Sequence, residues 1–156
     1  MNKSEHQQRV ELFMQKAGQA TPDVPTEPDD KIKVLRAKLV LEECLELIRK
    51  GLGIAVSDKG NHVELKIDNL QFDIVDKFDM VEMADGCCDI SVVTYGTAIA
   101  CGVSMKPLLT EVDENNLQKF SSGGYVREDG KLIKPANHPK PRISELLAEQ
   151  GWRNLC

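Results

Sequence analysis

Apolar residues recur at helical spacing along most of the chain, and the pattern breaks where proline, glycine or simple alternation takes over. Val10, Phe13, Met14 and Ala17 predict a short amphipathic helix after a Ser4 cap, ended by Gly18. Prolines at positions 22, 25 and 28 then predict an extended connector. From about residue 29 to 51 the run DDKIKVLRAKLVLEECLELIRKG predicts a long helix, with acids at its start, Arg49 and Lys50 in its last turn, and Gly51 and Gly53 as stops. Ile32, Leu35 and Leu39 form one stripe, continued by Glu43 and Glu46 with Glu42 on its flank. A second apolar face through Val34, Leu41, Leu45 and Ile48 predicts a helix covered on more than one side.

Residues 52 to 76 break this pattern, and their approximate alternation predicts a small hairpin or an ordered loop. The next helix, roughly 77 to 101, places Glu82, Asp85, Asp89, Val93, Gly96, Ala100 and Val103 along one line, so acids give way to small apolar residues suited to close packing. Gly102 stops it, and Ser104 can cap a fourth helix from about 105 to 120, with Leu108, Leu109, Val112, Asn116 and Lys119 near one side. SSGGYVREDGKLIK then predicts a hairpin turned at Asp129-Gly130, and a last short helix capped by Ser144 carries Leu146, Leu147 and Trp152. The chain therefore reads as all-α, a four-helix-bundle-like core with a small insertion and a C-terminal extension, in a single domain over residues 1–156.

Composition narrows the function classes. With 156 residues and a net charge of -5, the chain carries no basic footprint for nucleic acid, although a nucleotide could still bind through a metal. Cys44, Cys87, Cys88, Cys101 and Cys156 form no CxxC pair, and they read as small buried hydrophobes in a reducing compartment. No apolar leader and no long apolar run is present, so a cytoplasmic protein without a membrane segment is expected.

Two acidic patterns, Glu42-Glu43-x-x-Glu46 and Glu82-x-x-Asp85-x-x-x-Asp89, lie inside the apolar stripes of separate helices. Carboxylates three or four apart share a helix face, and two such helices side by side crowd several charges at one point. That crowding requires protonation or a cation, and oxygen ligands without histidine favour magnesium or manganese. His6, His62 and His138 all fall outside the acidic helices, which argues against a di-iron centre. A solvated acidic surface remains the simpler alternative for either pattern taken singly.

EECLE followed by EMADGCCDISVVTYGTAIACGV resembles the paired ExxE and ExxD motifs of the all-α nucleoside triphosphate pyrophosphohydrolases, the MazG-like and phosphoribosyl-ATP pyrophosphohydrolase-like superfamily. FMQKAGQATPDVPTEP resembles the lead of its single-domain members, and EVDENNLQKF with DGKLIK resembles the region after their fourth helix. The segment from 54 to 76 looks like an insertion, and Asp113 and Glu114 replace a His-Arg type pair.

The resemblance implies that Glu43, Glu46, Glu82 and Asp85 ligate Mg2+, with Mn2+ as an alternative, and that Asp89 is a further or supporting ligand. It also implies that Glu42 orients or deprotonates the attacking water, and that Asn116 and Lys119 contact the sugar or phosphate. A nucleoside triphosphate such as dUTP or dCTP is the implied substrate, and a homodimer or homotetramer the implied assembly. Phosphoribosyl-ATP hydrolysis and a non-catalytic helical metal-binding module are the competing readings.

Overall fold

A computed structural model describes residues 3–60, 66–121 and 123–153, so His62 and Cys156 lie outside the described residues. The fold is predominantly helical with small strand pairs, as the sequence predicts. Its contacts divide into two compact units, one of Met1–Glu27 with Ala98–Cys156 and the other of Pro28–Thr97.

The first unit begins with α1 (Glu5–Lys16), whose cap is Ser4: its hydroxyl accepts the Gln7 N–H at 3.2 Å. Gln7 is completely buried, which is tolerable because both ends of its amide are used. Its Nε2 donates to the Val103 carbonyl at 2.7 Å, and its Oε1 accepts from the Met105 N–H at 2.9 Å. Gln150 does the same one residue away, accepting from the Ser104 N–H at 2.7 Å and donating to the Ser104 carbonyl at 3.0 Å. These bonds fix the turn that leads into α4 (Met105–Ser121). Val10, Met14, Ile99, Ala100 and Leu108 form the core beneath it.

The predicted hairpin is present as β3 (Tyr125–Val126) paired antiparallel with β4 (Leu132–Ile133). Its turn is tied by the Arg127–Asp129 ion pair and by the Asp129 carboxylate accepting from the Lys131 N–H. The last helix, α5 (Ile143–Glu149), starts one residue before the predicted cap, so Ser144 lies inside it and Arg142 precedes it without a side-chain cap. The cause is tertiary: Arg142 is held on α4 by Glu111, through both its main-chain N–H at 3.0 Å and its guanidinium at 3.1 Å.

The second unit opens with α2 (Asp30–Glu46), capped by the Asp29 carboxylate, which accepts from the Ile32 N–H at 2.9 Å. Leu47–Gly51 continues it as a π-helical turn closed by Leu52 N–H to the Leu47 carbonyl at 3.1 Å. The insertion is a hairpin, β1 (Ile54–Asp58) antiparallel to β2 (Leu70–Ile74), in register from Ile54↔Ile74 to Asp58↔Leu70. By this register Ile54, Val56, Leu70, Phe72 and Ile74 share one face. Then α3 (Met80–Ala100) follows, its first turn capped by the Asp79 carboxylate, which accepts from Val81 and Glu82 N–H at 2.9 and 3.1 Å.

Two expectations change here. The second face of α2 is largely uncovered among the described residues, since Val34, Leu41 and Leu45 are exposed and Ile48 is half-buried. Cys87 and Cys88 are exposed rather than buried, and Cys44 and Cys101 are half-buried. The reason is common to both: the pattern identifies an apolar helix side, while burial depends on what packs against it. Among the described residues no single helix is both long and apolar enough to cross a membrane.

Candidate active site

All six predicted acids fall in the second unit, on the end of α2 and the first half of α3. Two glycines explain how these helices come close. A Cβ on Gly86 of α3 would stand 3.0 Å from Leu47 Cβ, and one on Gly51 would stand 2.6 Å from Met83 Cα. Hydrogen therefore replaces a side chain at both contacts, and the acid-bearing turns lie side by side.

Glu43 is half-buried, while Glu42, Glu46, Glu82, Asp85 and Asp89 are exposed. Its carboxyl is held above the ordinary glutamate range, first by burial and then by the negative charges of Asp89, Glu46 and Glu42. Asp89 belongs to α3, so one of the charges acting on Glu43 comes from the neighbouring helix. Lys50 opposes this effect. Its ammonium donates to Glu46 Oε2 at 2.5 Å, and that bond, followed by the charges of Glu82 and Glu43, pushes the lysine pKa up.

The donor set, carboxylate oxygens alone, suits a hard divalent cation. The side chains as they stand do not converge on one point: among the described residues no three His, Cys, Asp or Glu are grouped closely enough to hold an ion. Mutual repulsion keeps unneutralised carboxylates apart, and Glu46 is turned to Lys50.

Asn116 and Lys119 belong to the first unit, on α4, where Lys119 Nζ donates to Asn116 Oδ1 at 2.6 Å. A cleft of about 260 Å³ on the same helix is lined by Glu111, Glu114, Asn115, Gln118, Lys140 and Arg142 among others, and by none of the predicted site residues. Sequence reasoning passed over Lys50, treating it only as a base suited to the end of a helix. Its four-residue spacing from Glu46 was the available signal.

No curated protein sequence matches the chain significantly. A family model does: residues 10–116, which include both acidic patterns and end at Asn116, match that of phosphoribosyl-ATP pyrophosphohydrolase. The match spans well over half of the 156 residues, carries the acids on neighbouring helices, and implies a hydrolase that cuts a pyrophosphate linkage; the chain belongs to this family, within the MazG-like and phosphoribosyl-ATP pyrophosphohydrolase-like superfamily.

Proposed function

We propose that the chain is a magnesium-dependent nucleoside triphosphate pyrophosphohydrolase that cuts between the α and β phosphates, releasing a nucleoside monophosphate and pyrophosphate. The observation that carries this reading is the close approach of the acid-bearing turns, where Gly51 meets Met83 and Gly86 meets Leu47, inside the segment that matches the family. Glu43, Glu46, Glu82 and Asp85, with Asp89 beside them, would hold Mg2+ or Mn2+. Such a cation, when bound, neutralises polyphosphate charge and acidifies water. Glu42, on the flank of the cluster, orients the attacking water and accepts its proton. A bond forms from the water oxygen to phosphorus as the bond to the pyrophosphate leaving group breaks. Asn116 and Lys119 are assigned to the sugar or phosphate on the resemblance alone.

A deoxypyrimidine triphosphate such as dUTP or dCTP is the first substrate reading, in a house-cleaning role. Phosphoribosyl-ATP is the second, favoured by the description of the matching family. A homodimer or homotetramer, in a cytoplasmic setting, completes the proposal. Its support is the open apolar surface of the second unit, including Leu41, Leu45, Phe72, Ile74 and Val81.

Pyrophosphate release from a nucleotide panel that includes phosphoribosyl-ATP, measured with magnesium, tests this. Glu46→Ala and Asp85→Ala should each lower turnover by about 100-fold or more, the scale of losing one preorganised electrostatic partner. No turnover of any nucleotide by the wild type, or wild-type turnover in both variants, would favour a non-catalytic helical module instead.

A further inference from the structure

Lys50 stands among the acids that the proposed function assigns to the cation. Its ammonium donates to Glu46 Oε2 at 2.5 Å, and the charges of Glu82 on α3 and of Glu43, about two turns back on α2, act on it as well. The adjacent Arg49 pairs elsewhere, with Asp76 at 3.4 Å. An exposed Glu–Lys pair four residues apart ordinarily contributes little. The setting separates this pair from an ordinary one: Lys50 sits within a π-helical turn, a feature that recurs at functional sites, and the next residue, Gly51, packs against Met83, which follows Glu82 on α3.

A divalent cation approaching Glu46 meets an oxygen already engaged by Lys50. Once displaced, the ammonium keeps three donors on a flexible four-carbon stem, still beside the acids where a polyphosphate would lie. We propose that Lys50 is a positioning residue with two stations. It holds Glu46 before the cation arrives, then turns to a phosphate oxygen of the substrate when Glu46 is taken. The inference rests on the polyphosphate reading of the acidic pair and adds a phosphate grip that the acids themselves cannot supply.

Calorimetric titration of Mn2+ alone, without nucleotide, reads the first station. Lys50→Gln should bind Mn2+ about two- to fivefold more tightly than wild type, the scale of one exposed ion pair. Arg49→Gln removes the same charge one residue away and should match wild type. Steady-state kinetics read the second station. Lys50→Gln should raise the nucleotide KM about tenfold or more, with a smaller change in kcat, and Lys50→Arg should restore most of the loss. Equal Mn2+ affinity in Lys50→Gln and Arg49→Gln, or an unchanged KM, would overturn the proposal while leaving the site intact. A wild type that neither binds Mn2+ nor turns over a nucleotide would overturn the site and Lys50 together.

Discussion

In the unit of Met1–Glu27 and Ala98–Cys156, Val10, Met14, Ile99, Ala100 and Leu108 are buried, and the buried amides of Gln7 and Asn115 are bonded to main-chain groups. In Pro28–Thr97 no described large apolar side chain reaches that burial, and Ile74 and Val81 are 86% and 76% exposed. The acids belong to this second, open unit. The buried core and the six predicted acids are thus divided along the chain, with Asn116 and Lys119 on the side of the core. The first unit buries a core while still exposing Phe13, Leu117, Phe120 and Tyr125, and the second half-buries Leu39, Ile48 and Ile90 but fully buries no described large apolar side chain. The lack of a fully buried large apolar side chain in the second unit is what supports the proposed assembly, since a second copy would cover exposed apolar surface.

The sharpest test of the division is a cavity in the closed unit. Met14→Ala should cost about 2–5 kcal/mol in chemical denaturation, because a completely buried side chain is removed from a packed site. A loss of under about 1 kcal/mol would mean that the core lies elsewhere. In the open unit the expected damage is to association instead. Ile74→Asp should leave the circular dichroism spectrum unchanged and weaken self-association about tenfold or more by sedimentation. An unaltered sedimentation profile would remove the hairpin from any interface.

The smallest effect concerns pH. The Arg142 main-chain N–H, then its guanidinium, hold Glu111 below the ordinary carboxylate range. A depressed acid stabilises the fold above its unfolded pKa of about 4.3, and that stabilisation is lost as pH falls through the lower folded value. The difference in thermal midpoint between wild type and Glu111→Gln should therefore be full at neutral pH and close in acid. A difference that does not vary with pH would show that the contact acts by shape alone.

Local features were legible in the sequence because their causes are local. Ser4 and Asp29 cap helices by accepting from N–H groups three residues on, and the Asp129-Gly130 turn needs only its neighbours. The acidic pair was legible too, since helical period alone places Glu43 with Glu46 and Glu82 with Asp85. Distant causes were not. The π-helical turn at Leu47–Gly51 lies where Gly51 meets Met83 of another helix. The start of α5 depends on Glu111, 31 residues before Arg142. The exposure of Val34, Leu41 and Cys87 depends on what packs against them, and an apolar stripe names a side without naming its cover.

Gln7 and Gln150 reach the same turn from opposite directions along the chain, so the closed unit cannot be complete until Gln150 has been synthesised. Pro28–Thr97 is contiguous and leaves the ribosome whole well before that point. Translation therefore delivers the parts in the reverse of their self-sufficiency. The segment with Leu45, Ile74 and Val81 uncovered follows Met1–Glu27 and is complete before the unit with the buried core. During that interval the growing chain presents the exposed apolar side chains of Pro28–Thr97 while the other unit is unfinished, and those are what a chaperone, or a neighbouring nascent copy, would meet.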